Sequence, residues 1–217
     1  MTCVIGFEGA VALMGRFPAL AGVDLMVSAG ERVLLQGPNG AGKTSLLRAV
    51  AGLLPVVAGT AEVLGQDLRA DRRGVRRHIG MLGHDNHLYA DLWVRDHMRF
   101  RAAAVGADAQ EVARAMELVE LPSRLWRVPT RRLSAGQRRR VALAALLVRR
   151  PRLWLLDEPH AGLDARGRDV LDNLLLEASS AGATVVFASH EVERAQAVAD
   201  RVVDLGGGRV VGDRRVA

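Results

Sequence analysis

Residues Gly37-Pro38-Asn39-Gly40-Ala41-Gly42-Lys43-Thr44 fit the pattern G-x-x-x-x-G-K-[ST], and no other feature of the chain narrows its possible folds as far. The pattern needs a strand before it and a helix after it. Val33-Leu34-Leu35 is a short apolar run leading into the loop, and Thr44 to Val50 has helix-compatible spacing. Gly37, Gly40 and Gly42 let backbone N–H groups converge on phosphate oxygens at the positive end of that helix. Lys43 is also the only lysine, the other twenty-nine of the 30 Lys and Arg residues being arginine. A compact ammonium sits between two phosphates as a point charge, whereas a planar guanidinium is too bulky for the same nest. Motif and exception together point to nucleotide chemistry, with the Thr44 hydroxyl expected on Mg²⁺.

The remaining composition excludes more than it selects. A chain of 217 residues, 49% hydrophobic, can bury a substantial core. The net charge of +6 raises the question of nucleic acid, but basic and acidic residues are interspersed. Basic runs such as Arg72-Arg73 and Arg138-Arg139-Arg140 are short, so no nucleic-acid partner is expected. Cys3 is the single cysteine, which rules out an intramolecular disulfide and fits a reducing cytoplasmic location. The uncharged stretch Ala49 to Ala61 contains Gly52, Pro55 and Gly59 and falls short of the roughly 20 apolar residues that span a bilayer. Glu8 interrupts the N-terminal apolar residues, which no basic segment precedes, so no secretory signal is expected.

Further strands are expected at Leu153 to Leu156, Thr184 to Ala188 and Arg201 to Leu205, alternating with helical stretches in an α/β arrangement. Val4 to Leu13 and Ala61 to Leu64 are expected to add antiparallel strands. Between Asp85 and Arg150 the strand signal fades, and Val112, Ala115, Met116 and Val119 repeat as on one helix face. Pro122 and Pro129 break this region before a helix opened by Ser134, with Val141, Ala144, Ala145 and Val148 on its apolar face.

Leu153-Trp154-Leu155-Leu156-Asp157-Glu158 is an apolar strand ending in two carboxylates. That order suits Asp157 to Mg²⁺ and leaves Glu158 over an attacking water. Leu133-Ser134-Ala135-Gly136-Gln137 then offers the Ser134 hydroxyl and the Gly136 amide at a helix N-terminus, a second anion site. With these landmarks the chain resembles the ATP-binding subunits of ABC transporters, whose LSGGQ signature is here LSAGQ, over nearly its whole length. The resemblance implies a P-loop NTPase (RecA-like) α/β core at 1–84 and 151–217, with an antiparallel β subdomain, and an inserted α-helical subdomain at 85–150. It implies ATP and Mg²⁺ held by Gly37 to Ser45, Thr44 and Asp157, with Lys43, Glu158 and His190 catalytic. Two subunits would face head to tail, Ser134 and Gly136 of one completing the γ-phosphate site on the other, and Ala161-Gly162-Leu163-Asp164 would touch the partner. It further implies transmembrane permease subunits and a peripheral place on the cytoplasmic face of the cell membrane.

Two positions depart from the family pattern. His84, in Ile79-Gly80-Met81-Leu82-Gly83-His84, stands where a glutamine usually senses Mg²⁺ and the attacking water. Met14, with Phe17 nearby, stands where an aromatic usually stacks on adenine; a thioether packs there less selectively. The Gly83-His84 pair resembles the ATP-binding subunit of the haem exporter used in cytochrome c maturation, a family that also tolerates a non-aromatic residue at Met14. A commoner exporter ATPase with an idiosyncratic histidine is the competing expectation. His84 and His87 stand three apart, as in a metal or haem pair, but no third ligand lies nearby in sequence. Asp85 to Trp93, with Leu88, Tyr89 and Trp93 as apolar anchors, is the expected seat for a helix of the membrane subunit.

Overall fold

A computed structural model of the chain describes residues 2–216. In chain order the strands and helices are β1 (Cys3–Met14), β2 (Phe17–Ser28), β3 (Arg32–Gln36), α1 (Lys43–Val50), β4 (Val56–Val63), β5 (Gln66–Asp67) and β6 (Ile79–Leu82). Then follow α2 (Val94–Ala103), α3 (Ala109–Leu118), α4 (Ala135–Arg149), β7 (Leu153–Asp157), α5 (Ala165–Ser180), β8 (Thr184–Ala188), α6 (Val192–Val198), β9 (Arg201–Gly206) and β10 (Arg209–Arg215). They build a six-stranded sheet of order β10-β9-β3-β8-β7-β6, parallel except for β10, and a four-stranded antiparallel sheet of order β2-β1-β4-β5.

The larger sheet is covered on both faces, which is why β7 and β8 are buried at every residue and read as unbroken apolar runs. Alternation divides their side chains between two cores. Val33, Leu35, Leu153, Leu155, Val186 and Ala188 face α1 and the antiparallel sheet, with Phe7, Leu20 and Leu46. Leu34, Trp154, Leu156, Val185 and Phe187 face the helices, with Met98, Met116, Leu143 and Leu175. Helix α4 belongs to the second core and packs closely against β6, an approach that Gly80 permits. A Cβ there would stand 2.2 Å from Leu146 Cδ1 and 2.6 Å from Pro151 Cγ.

Several elements differ from the sequence expectations. The expected strand at Val4 to Leu13 is β1, paired antiparallel with β4, which starts five residues earlier than Ala61 and stops before Leu64. Leu64 turns the chain with φ 54°. Strands β2 and β10 gave no signal: Pro18 and Gly22 interrupt the first, and the second is an edge strand with exposed arginines. Leu88 packs against the helical core, while Tyr89 and Trp93 stay exposed.

Candidate nucleotide site

The carboxyl ends of β3, β8, β7 and β6 are neighbours, with Leu35 opposite Ala188, Ala188 opposite Asp157 and Leu156 opposite Leu82. Four loops therefore open into one crevice, as expected of ligand sites in open α/β sheets. The loop after β3 supplies the glycines and Lys43; β7 supplies Asp157 and Glu158; the loop after β8 supplies His190, and that after β6 supplies His84. Asn39 to Ser45, His84, Asp157, Glu158 and His190 line this cleft, whose volume is about 720 Å³.

Gly37, at φ 139°, has a conformation that an L side chain rarely adopts, and a Cβ there would meet the Leu205 carbonyl oxygen at 2.2 Å. This constraint turns the chain from β3 into the loop. Lys43 begins α1 and is 8% exposed; its Nζ donates to the Gly37 carbonyl at 2.7 Å and to the Pro38 carbonyl at 3.2 Å. The ammonium is thus held above the loop by two of its three donors. Thr44 Oγ1 donates to Asp157 Oδ2 at 2.7 Å, placing a hydroxyl and a carboxylate side by side. Such a pair of hard oxygen donors fits Mg²⁺.

Glu158 follows the strand with φ 49°, a left-handed conformation costing on the order of 1 kcal/mol for a non-glycine residue. The twist turns its side chain toward the end of β8. Its Oε2 accepts from the His190 backbone N–H at 3.0 Å, and Oε1 lies 3.5 Å from His190 Nε2. Acid and histidine therefore stand together in the cleft that Lys43 also lines.

Ser134, Gly136 and Asp164 do not line the cleft of their own chain. Ser134 caps α4 in a capping box with Gln137, its Oγ accepting from the Gln137 N–H at 3.2 Å. Asp164 caps α5, accepting from the Gly167 N–H at 2.8 Å and from Arg140 at 3.0 Å. The backbone and side-chain bonds to Asp164 hold its carboxyl below the usual carboxylate range.

Met14 and Phe17 face each other across the β1–β2 hairpin turn, and both are exposed at the cleft. Phe17, expected near Met14, thus brings an aromatic ring to the same end of the cleft. Sequence reasoning missed the Gly207-Gly208 turn, which also lines the cleft; Gly208 donates to the Ala41 carbonyl at 3.0 Å and accepts from Ala21 at 2.8 Å. Its signal was the glycine triplet Gly206-Gly207-Gly208. Arg139 was missed as well, because it sits inside a run of arginines.

A glycine-rich loop with a buried lysine after one parallel strand, and two carboxylates at the end of another strand one place removed in the same sheet, define a nucleoside triphosphatase of the phosphate-loop class. The sequence profile of ABC transporters matches residues 20–161. The chain belongs to the ABC transporter family, as an ATP-binding subunit and an ATP hydrolase of that type. It is 39% identical over 199 residues to the cytochrome c biogenesis ATP-binding export protein CcmA of Bordetella bronchiseptica, covering 89% of this chain and 87% of that one. It is 40% identical over 205 residues to the sulfate/thiosulfate import ATP-binding protein CysA of Caulobacter vibrioides, covering 90% of this chain and 60% of the relative. Among solved structures, the ATP-binding subunit of an ABC transporter superposes with a TM-score of 0.88 at 25% identity, covering 98% of this chain and 90% of that one. A dimeric bacterial ABC transporter cassette superposes with a TM-score of 0.89 at 23% identity over 99% of both chains, a likeness of fold.

Proposed function

We propose that the chain is the motor of a haem-type exporter acting in cytochrome c biogenesis, and that it hydrolyses MgATP between two copies arranged head to tail. Gly37 to Ser45 cradle the phosphates, and Lys43 offers its charge to the β- and γ-phosphates. Thr44 and Asp157 would hold Mg²⁺, which when bound neutralises phosphate charge. Glu158 takes the proton of the attacking water, and His190 hydrogen-bonds developing charge on the γ-phosphate. His84 takes part in sensing the metal and the water. Ser134 and Gly136 at the start of α4 meet the γ-phosphate of the facing copy, with Asp164 in the contact between copies.

The observation that carries this reading is the direction of Glu158, turned by its left-handed backbone onto the histidine loop, 3.0 Å from the His190 N–H, in the cleft that holds Lys43. The position of Ser134 and Gly136 outside that cleft supports their service to a second copy. Residues 1–84 and 151–217 act as the nucleotide-binding core and 85–150 as the helical subdomain. The groove between them, lined by Leu53, Met81, Leu88, Phe100, Val105 and Ala145, suits an apolar helix of a permease, which would hold the chain peripherally on the cytoplasmic face of the membrane.

The haem assignment is supported by the relatives named for cytochrome c biogenesis and by His84 after Gly83. The alternative, a motor of another ABC exporter of drug, lipid or peptide type, is favoured by the 38% identity over 96% of this chain to the daunorubicin resistance ATP-binding protein DrrA3 of Streptomyces coeruleorubidus. The chemistry is tested by Glu158→Gln. ATP binding is expected to persist while hydrolysis falls by about 100-fold or more, and gel filtration with MgATP is expected to show an accumulated dimer. Normal turnover in this variant would remove Glu158 from the role of base.

A further inference from the structure

The run Arg138-Arg139-Arg140 reads as surface charge, yet its middle member is 2% exposed. Arg139 reaches from α4 into the space between β6 and β7. Its Nε donates to the Pro159 carbonyl at 3.1 Å, and its Nη2 donates to the carbonyls of Asp157 at 3.1 Å and Glu158 at 2.6 Å. Its Nη1 donates to the Gly83 carbonyl at 2.7 Å and to Asn86 Oδ1 at 3.2 Å. A guanidinium has five N–H donors, and all five are engaged, each by an acceptor on one of two segments, 83–86 or 157–159. Burial lowers this group to about 10, against the opposing pull of the Asp157 and Glu158 charges, so it stays protonated at neutral pH.

The peptide at Glu158 is consequently gripped on both sides. Its N–H donates to the Ala188 carbonyl at 2.9 Å, and its C=O accepts from Arg139. A left-handed backbone at a non-glycine residue persists only where the surroundings over-determine it. The grip also ties the carbonyl of Gly83, next to His84, to the same guanidinium.

We propose that Arg139 is the positioning residue for Glu158, fixing the direction of its carboxylate and linking it to the 83–86 segment and to α4. The inference rests on the assignment of Glu158 as the base. It adds a mechanical consequence: a displacement of α4, whose N-terminus carries Ser134, or of the segment before Leu88 reaches Glu158 through one side chain. Lysine has three donors on a point charge and glutamine two, so neither spans both segments.

The test uses the full chain, with ATP hydrolysis, equilibrium binding of a fluorescent ATP analogue and thermal unfolding measured for Arg139→Lys, Arg139→Ala and Asn86→Ala. Arg139→Lys is expected to lower kcat by about 100-fold, the scale set by misplacing a catalytic group by about 1 Å, with analogue affinity within about twofold of native. Millimolar guanidinium is expected to restore part of kcat to Arg139→Ala and nothing to Glu158→Gln, a split that loss of folding alone does not produce. Asn86→Ala, on a loop outside the core, keeps the protein folded even if the arginine variants do not. It is expected to lower kcat several-fold at unchanged affinity. Native kcat in Arg139→Lys, or in Asn86→Ala when the arginine variants are unfolded, overturns the proposal. If Glu158→Gln also turns over normally, the assignment of the base falls first; if it is inactive while Arg139→Lys is native, only the positioning role is lost.

Discussion

At the scale of residues, Lys43 illustrates why charge alone does not make a substitution conservative. Its Nζ sits 2.7 Å and 3.2 Å from two carbonyls of its own loop, in a nest that leaves it 8% exposed. A guanidinium is wider and presents its donors in a fixed plane. Lys43→Arg is therefore expected to keep the fold and lower kcat/KM for ATP by about 100-fold or more, measured by phosphate release. Near-native turnover would defeat the argument from the shape of the nest. Lys43 was legible because the motif and the composition single it out. Arg139 was not: successive helix residues point about 100° apart, so three adjacent arginines must face three directions, and only packing decides which one is inward. Arg138 bonds the Leu133 carbonyl, Arg140 bonds Val119 and Asp164, and Arg139 alone enters the site.

At the scale of elements, β7 and β8 were legible because burial on both faces demands unbroken apolar runs. Helix α2 was not: its sequence Val94-Arg95-Asp96-His97-Met98-Arg99-Phe100 mixes arginines with exposed Phe100, so its inward face shows only in the structure. That face carries His97, fully buried, with Arg101 Nε 3.5 Å from its Nε2 and the Tyr89 ring 5.8 Å away. Burial, with a smaller contribution from Arg101, lowers its pKa to about 4 from an ordinary 6.5. Between those values the unfolded chain binds a proton that the folded chain refuses, so stability is full above pH 6.5 and falls as the pH drops toward 4. Between pH 7 and pH 4.5, urea unfolding of the native chain is expected to lose about 2 kcal/mol more than that of His97→Leu. Equal losses would show that His97 is protonated without strain in the folded state.

At the scale of the whole molecule, the two sheets and the helical layer make a motor without a visible track. None of the helices among the described residues is long and apolar enough to cross a membrane. The exposed ring of Phe100 lines the groove between β6 and α2 with the exposed Tyr89 ring 5.5 Å from it, where a covering partner would bury both. Tagged protein drawn from membranes is expected to bring down integral membrane subunits and a haem absorption band. Membrane partners without haem would defeat the cargo assignment and leave the ATPase intact.

The sequence by itself determined the phosphate loop, the paired carboxylates, the signature helix with its Ser134 cap and the core strands. Each depends on residues adjacent in the chain, so spacing alone displays it. Only the tertiary structure decided that β3, β8, β7 and β6 end side by side, that the β1–β2 hairpin turn carries Met14 and Phe17 to the cleft of the Lys43 loop, and that the Gly207-Gly208 turn braces the loop. It alone decided that Arg139 faces inward. These are meetings between residues far apart in sequence, brought about by sheet order and side-chain packing, and no local pattern carries that information.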